Sequence, residues 1–400
     1  KNRKAFITGI KSLKLSTDEK KFLKKHRPWG VILFLRNIKS IKQAKKLTNS
    51  IRKIFKDKNY PILIDQEGGR VNRLSNIISF DNLTSEYFGN LFEKDKMKLN
   101  IIYKLFIDKT SYLLKLIGAN INTVPVLDLR ARGASNIIGD RSFSKNKNTV
   151  SKMGDLCIKL FHDNSIGTII KHIPGHGLAK VDSHNFTPII RKSQKHLNDN
   201  DFSTFKNKKS FFAMTAHIVY EKLDNINTAT HSKKIINYIR NKIGFKNILI
   251  SDDLSMKSLK EDLKTNTVKT FNSGCNIALH CNGNFNEMKI VAERLLTVVM
   301  MMVMMMIGDD DGRDGDHDDD DDDDDDDDGD GGDGDGDDGD DDDARRWIFL
   351  TVLCVSVPLL VVYKGGDALN VCFNTIAILF MTEIDNVTYT MGLGERVRAR

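Results

Sequence analysis

The feature that most limits the fold is a regular alternation, over the first 300 residues, of short apolar runs with longer amphipathic segments. A parallel sheet whose strands are joined by crossover helices produces this pattern. Eight runs are strand-like, at residues 4–8, 31–35, 61–64, 121–126, 167–170, 211–215, 248–251 and 276–281. Eight such units predict an α/β fold, a closed (β/α)₈ barrel of the TIM type, which typically takes ~250 residues.

The segment between the third and fourth runs is the clearest helix. Its apolar residues recur every three or four positions from Leu99 to Ile117, and Gly118 follows them. This spacing predicts an amphipathic helix that ends at Gly118, because glycine readily adopts the left-handed conformation that closes a helix.

Composition changes abruptly near residue 300. A methionine-rich run, MMMVMMMI, leads into residues 309–343, which contain 25 Asp. This acidic tract is predicted to be disordered, because it has almost no apolar side chains and its like charges repel. ATG and GAT are two frames of one trinucleotide repeat, so we hypothesise that the residues after about 300 come from a gene-model fusion, which sequencing the locus would test.

Three regions are therefore predicted: a barrel over 1–300, a Met/Asp low-complexity segment over 301–343 and an apolar tail over 344–400. Within the tail, residues 347–363 carry no charge and are flanked by Arg345, Arg346 and Lys364. This length is at the short limit for a membrane span of ~17–25 residues. A membrane partner is expected only if this segment is genuine.

The first 300 residues carry 54 basic and 25 acidic side chains, a formal charge of +29. Such a charge suits a nucleic-acid partner, an anionic substrate or simply a lysine-rich codon bias. The lysines are scattered among Asn and Ile, without a basic helix face or an aromatic platform for bases. Codon bias is the favoured interpretation, and no nucleic-acid partner is expected.

The five cysteines, Cys157, Cys275, Cys281, Cys354 and Cys372, form no disulfide-like framework, which suits a reducing compartment. The first apolar run is broken at Lys11, too early for a secretory signal. We expect a cytoplasmic protein and a monomer.

Polar side chains follow six of the predicted strands directly. Barrel enzymes place their chemistry at the carboxyl ends of the strands, so these residues are expected to share one mouth. They are Arg36, Asn37, Asp65, Glu67, Asp128, Lys171, His172, His217, Asp252 and Asp253.

The densest run of polar residues is KHIPGHGLAKVDSH, residues 171–184. Its three histidines suggest a metal, but they are spaced by four and eight on a glycine-broken loop, and the first strand has no HxH pair. No metal or cofactor is expected. Alternatively, Asp182 orients His184 for proton transfer, since a nearby carboxylate holds an imidazole tautomer. A plain surface turn accounts for Asp182 and His184 equally well.

A second polar element is ILISDDLSM, residues 248–256. A carboxylate at the end of a strand could act as a nucleophile, and an Asp before a helix could equally be an N-cap. The spacing does not say whether Asp252 or Asp253 faces the barrel interior.

Seven runs carry a family resemblance, and they occur in order: GVILFLRN, DQEGGRVNRL, PVLDLR, IGDRSFS, KHIPGHG with VDSH, MTAHIVY and SDDLSM. Together they resemble the bacterial β-N-acetylglucosaminidases of glycoside hydrolase family 3, the cytoplasmic enzymes of peptidoglycan recycling. The resemblance covers roughly residues 5–295.

The resemblance implies a retaining hydrolysis of terminal, non-reducing β-N-acetylglucosamine from peptidoglycan-derived muropeptides. It implies a covalent intermediate on Asp252, with His184 as the acid/base and Asp182 orienting it. The implied sugar contacts are Asp65, Arg73, Arg141, Lys171 and His172. Leu178 and Asn247 depart from the family pattern, where Asp and Gly are common, and the last stretch of the family's C-terminal helix is replaced by the Met/Asp tract. This third departure bears on barrel closure, because the final helix after Asn286 must cover strands eight and one.

Other functions on this scaffold are a phosphorylase that acts on the same sugar, a metal-dependent barrel hydrolase and an inert, membrane-tethered protein. A chelator distinguishes the metal-dependent hydrolase from the glycosidase. We expect turnover of a β-N-acetylglucosaminide to be unchanged after incubation with EDTA, because the implied chemistry needs no metal ion. Loss of turnover with EDTA, restored by a divalent cation, would contradict the glycosidase prediction.

Overall fold

Eight parallel strands close into a barrel in the computed structural model, which describes residues 3–295. The first strand pairs with the second on one side and with the eighth on the other, where Phe6 lies opposite Ala278. The predicted (β/α)₈ barrel is confirmed. The strands are β1 Lys4–Gly9, β2 Pro28–Leu33, β3 Ile62–Ile64, β4 Ile121–Asn122, β5 Gly167–Ile173, β6 Phe212–Thr215, β7 Ile248–Asp253 and β8 Ile277–His280.

Strand β4 is shorter than predicted. Its ladder stops at Asn122 because the chain turns there, with the N–H of Val124 donating to the carbonyl of Asn122 at 2.9 Å. Pro125 then has no N–H to give to a neighbouring strand. Val126 rejoins the sheet through a single bridge to Lys171.

The inside of the barrel is an apolar plug to which every strand contributes. The side chains alternate along each strand, so Leu63 points inward while Ile62 and Ile64 pack outward against the helices. As in other barrels of this type, the interior is a packed core without a pore. The plug consists of Ile7, Ile32, Leu63, Ile121, Ile169, Met214, Ile250, Ile277 and Leu279.

Helices surround the barrel and begin at hydrogen-bonding caps. Ser16 and Glu19 form a reciprocal capping box at the first helix, and the longest helix ends as predicted at Gly118, whose φ is +84°. The helices are α1 Thr17–His26, α2 Ile41–Phe55, α3 Ser85–Lys94, α4 Lys96–Ile117, α5 Lys147–Asp163, α6 Gln194–Asp199, α7 Lys233–Tyr238 and α8 Leu263–Asn272, with a π-helical turn at Ile239–Ile243 after α7.

Short elements fill the connections. Single 3₁₀ turns lie at Leu35–Asn37, Gly139–Arg141, Asp201–Phe205 and Ala229–His231. A separate two-stranded sheet pairs Ile189–Ile190 with Val219–Tyr220. This sheet ties the connection after β5 to the connection after β6.

Residues 285–295 are helical and complete the wall of the barrel. Their buried side chains, Met288, Val291, Ala292 and Leu295, belong to the core between helices and strands, and Phe285 packs edge-on against Phe22 of α1. A helix therefore covers this side of the barrel as far as Leu295. The predicted segments 301–343 and 344–400, with the candidate span 347–363, lie outside the described residues.

Between residues 3 and 295, no helix combines the length and the apolar character that crossing a membrane requires.

Helix α3 packs closely on the loop that follows Arg141. A Cβ atom at Gly89 would lie 1.6 Å from the carbonyl oxygen of Phe143, which is backbone and cannot swing away. We expect Gly89→Ala to lower the free energy of unfolding by about 3 kcal/mol, at the upper end of overpacking costs. Asn90→Ala, at the exposed neighbouring position, should change it by less than ~0.5 kcal/mol. Equal urea midpoints for the two variants would contradict this close contact.

Candidate active site

The register of the plug decides which charged side chains point into the barrel mouth. Side chains two positions apart along a strand lie on the same face. Asp65, Lys171 and Asp252 each stand two residues after an inward apolar side chain, namely Leu63, Ile169 and Ile250. The three charged groups therefore rise from the plug into one mouth.

A network of ion pairs connects four of the residues predicted to bind sugar. Lys171 Nζ pairs with Asp65 Oδ1 and lies 2.6 Å from Glu67 Oε1. Arg73 donates to Asp65 Oδ2 at 2.8 Å, and Arg141 donates to both oxygens of Glu67, each at 2.8 Å. The structure thus brings Asp65, Arg73, Arg141 and Lys171 together around Glu67.

Both carboxylates of this network stay ionised although they are buried. Burial alone would raise the pKa of Asp65, but Lys171, Arg73 and Arg141 hold it well below its ordinary value. Burial likewise opposes ionisation of Glu67, and Arg141 and Lys171 lower its pKa. Two negative and three positive groups leave one net positive charge in the network, with donors and acceptors suited to hydroxyl groups.

Asp128, at the end of the fourth strand unit, organises the loop that follows β5. Its fully buried carboxylate accepts from the ring Nδ1 of His172 at 2.8 Å and from the backbone N–H of His176 at 2.6 Å. Burial raises the pKa of Asp128, but the interactions with His172 and His176 outweigh burial and lower it. Because a carboxylate only accepts, Nδ1 of His172 carries a proton and Nε2 is left for other contacts.

The two adjacent carboxylates at the end of β7 have different partners. Asp253 accepts from the N–H of Cys281 at 3.0 Å and from the N–H and hydroxyl of Ser255 at 3.1 and 2.8 Å. Asp252 accepts from the N–H of Asp253 at 2.8 Å. Asp253 is thus committed to holding the loop, while Asp252 faces the mouth.

Histidines surround Asp252 and favour its charged form. Burial would raise the pKa of the Asp252 carboxyl, but His172, His217 and then His184 lower it. Asp252 is therefore a carboxylate at neutral pH, and the loop histidine His184 is near enough to act on it electrostatically.

Asp182 and His184 form a hydrogen-bonded pair on the loop after β5. Nδ1 of His184 lies 2.8 Å from Asp182 Oδ1, which also accepts the backbone N–H of His184 at 2.8 Å. These bonds outweigh the effect of burial and lower the pKa of Asp182. Both side chains are accessible, at 60% for His184 and 39% for Asp182, so Nε2 of the imidazole is free to meet a ligand.

Three further polar residues of the mouth were visible in the sequence only as strand-end residues without a role: Glu67, Asp128 and His217. His217 donates from Nε2 to the carbonyl of Asp253 at 3.1 Å, and its Nδ1 lies 2.7 Å from the hydroxyl of Thr230. Burial lowers the pKa of His217, although the neighbouring Asp252 and Asp253 oppose this effect. Across residues 3–295, no group of three or more His, Cys, Asp or Glu is arranged to hold a metal ion.

The protein-family model of the glycosyl hydrolase family 3 N-terminal domain matches residues 5–306 of the chain. Among characterised sequences, the chain is 31% identical over 293 residues to a β-hexosaminidase of Psychromonas ingrahamii, covering 71% of this chain and 85% of that protein. A β-hexosaminidase of Neisseria meningitidis serogroup C is 31% identical over 283 residues, covering 69% and 77%.

Solved structures give the same picture. NagZ from Neisseria gonorrhoeae in complex with N-trifluoroacetyl-D-glucosamine matches with a TM-score of 0.65 and 27% identity, covering 74% of this chain and 90% of that one. A family 3 β-N-acetylglucosaminidase from Paenibacillus sp. strain FPU-7 matches with a TM-score of 0.67 and 25% identity. The match covers 74% of this chain and 57% of that longer protein.

The contrast between the two aspartates of β7 is testable through stability. We expect Asp253→Ala to lower the free energy of unfolding by about 1–3 kcal/mol, because backbone donors at Cys281 and Ser255 lose their acceptor. Asp252→Ala should cost clearly less, since it removes a single acceptor from the adjacent N–H. Urea denaturation of both variants measures the difference, and a greater loss for Asp252→Ala would refute the assignment of Asp253 as the loop-holding residue.

Proposed function

Because this chain belongs to glycosyl hydrolase family 3 and is a glycoside hydrolase, we propose that it removes terminal, non-reducing β-linked N-acetylglucosamine with retention of configuration. The observation that carries the proposal is the hydrogen-bonded pair Asp182–His184, whose loop bonds to the connection that follows Asp252. A retaining glycosidase needs these two functions, a nucleophile and an acid/base, on either side of one bond.

Asp252 is the proposed nucleophile. Its lowered pKa keeps it ionised, and its carboxylate is not tied to the loop as that of Asp253 is. In the first step an oxygen of Asp252 attacks the anomeric carbon, and the bond to the leaving oxygen breaks as His184 protonates that oxygen. The product is a glycosyl ester on Asp252, and the aglycone leaves as a neutral alcohol.

His184 acts as the base in the second step. It removes a proton from a water molecule, whose oxygen attacks the anomeric carbon and displaces Asp252. Asp182 holds the Nδ1 proton, so Nε2 performs both transfers, and its negative charge stabilises the imidazolium that forms. Two inversions at the same carbon give net retention. An imidazole here replaces the second carboxylate that most retaining glycosidases use.

The ion-pair network is the proposed sugar site. Asp65 can accept from hydroxyl groups, while Arg73, Arg141 and Lys171 can donate to them. Because these groups already pair with one another, they are oriented before the sugar arrives. His172, fixed by Asp128, is the proposed fifth contact.

The proposed natural substrates are muropeptide fragments of peptidoglycan, cleaved in the cytoplasm. The support is the order of seven sequence motifs that resemble the peptidoglycan-recycling enzymes, together with the β-hexosaminidase relatives. Assays with GlcNAc-containing muropeptides and with chitobiose test whether the aglycone matters.

Hydrolysis of 4-nitrophenyl β-N-acetylglucosaminide by the full chain tests the mechanism. We expect Asp252→Ala and His184→Ala each to lower turnover by at least ~10², the usual scale for loss of a nucleophile or acid/base. His196→Ala and Asp199→Ala remove the same side-chain types from exposed positions on α6 and should leave turnover unchanged.

Two readouts sharpen this experiment. A 2-fluoro sugar should label Asp252, detectable as a modified peptide by mass spectrometry. Unchanged turnover in Asp252→Ala or His184→Ala would refute the role of that residue. If the main product in phosphate buffer is a sugar phosphate, the reaction is phosphorolysis and the proposed hydrolysis is wrong.

A further inference from the structure

The loop that carries the proton-transfer pair turns one side chain inward between two that face outward. His184 is exposed and Asp182 half-buried, whereas Ser183 between them is only 2% exposed. A serine that is buried between two accessible neighbours attaches the loop to the residues beneath it.

Ser183 meets the buried ring of His176. Its hydroxyl lies 2.9 Å from Nε2 of His176, and Nδ1 of that ring has no hydrogen-bond partner within residues 3–295. A buried N–H without an acceptor is more costly than an unused lone pair, so the proton belongs on Nε2. Nε2–H of His176 then donates to the Ser183 hydroxyl.

His176 is in turn fixed to the barrel. Its backbone N–H donates to Asp128 at 2.6 Å, the carboxylate that also holds the ring of His172. At the next residue, Gly177, a Cβ would lie 1.9 Å from the carbonyl oxygen of Leu129, so the chain is packed tightly there. The His176 ring thus stands at a defined place relative to the sugar site.

The far end of the loop is attached differently. The carbonyl of His184 accepts from the N–H of Lys257 at 3.3 Å, and the hydroxyl of Thr187 donates to the carbonyl of Ser258 at 2.6 Å. Both contacts reach the connection after β7. Ser183 therefore supplies the side-chain bond from the Asp182–His184 pair to the β5 side of the mouth.

We propose that His176 is a positioning residue that acts through Ser183 to set the distance between His184 and Asp252. The proposal rests on the function proposed above for His184. His176 is assigned no contact with substrate; its ring packs edge-on against His172, and its effect on the position of His184 passes through Ser183.

A displaced His184 has a specific kinetic consequence. Protonation of the leaving oxygen matters when the leaving alcohol is a weak acid, and matters little for an acidic phenol that departs as an anion. The constant kcat/KM reports the steps up to the first bond cleavage. When the Ser183–His176 hydrogen bond is lost, kcat/KM should therefore depend more steeply on the acidity of the leaving group. General damage to the site would instead lower kcat/KM equally for all substrates.

The experiment measures kcat/KM for phenyl and 2,4-dinitrophenyl β-N-acetylglucosaminides with the full chain. We expect Ser183→Ala to lower the value for the phenyl glycoside about tenfold, as a displacement of under 1 Å can. The 2,4-dinitrophenyl glycoside should stay within about twofold of the wild type. Ser50→Ala, which removes an exposed serine on α2, is the matched control and should change neither value.

Variants of His176 test the other partner. His176→Leu should reproduce the steeper dependence on the leaving group. His176→Gln, which retains an N–H donor of similar reach, should restore most of the kcat/KM for the phenyl glycoside. The double variant Ser183→Ala/His176→Leu should be no slower than His176→Leu alone, because both substitutions remove the same hydrogen bond.

Two outcomes overturn the proposal while hydrolysis itself stands: an equal fall for both glycosides in Ser183→Ala, or no fall for either. A wild-type chain that hydrolyses neither glycoside overturns the proposed function, and this proposal with it. Circular dichroism of each variant confirms that the comparison is between folded proteins.

Discussion

The alternation of side chains around the apolar plug is the constraint on which the rest of the site depends. Every strand contributes to the plug, and at β3, β5 and β7 the residue two positions beyond the plug side chain rises into the mouth. Asp65, Lys171 and Asp252 owe their direction to this rule. A shift of one residue in β7 would turn Asp252 outward and bring Asp253 into the mouth, where its bonds to Ser255 and Cys281 could not form.

Charge compensation divides the mouth into two parts with different physical characters. The proposed sugar site is largely buried and its groups pair with one another, so Asp65 and Glu67 keep lowered pKa values despite desolvation. Removing one member would leave an unpaired buried charge, which is costly. His184 is instead exposed and Asp182 half-buried, and an exposed imidazole can gain and lose a proton without a large solvation penalty. The proposed sugar recognition and the proposed proton transfer are thereby separated in space.

Sequence patterns were sufficient for the eight strands, the helix ending at Gly118 and the polar residues at strand ends. They could not choose between Asp252 and Asp253, because both faces of β7 are buried and its apolar residues show no alternation. The roles of Glu67 and Asp128 were also out of reach, since their partners Arg141 and His172 lie 74 and 44 positions away. The end of β4 depended on a local turn that apolar content does not reveal.

The Asp182–His184 pair belongs to a connection, whereas Asp252 belongs to the barrel wall. The connection is attached at Ser183, His184 and Thr187 and through the short strand Ile189–Ile190, and none of the plug residues lies in it. The scaffold can therefore keep its proposed sugar contacts and its proposed nucleophile while a different connection supplies the proposed proton donor. Within such an architecture, new leaving-group preferences can evolve by exchange of one connection, with the apolar plug of the barrel unchanged.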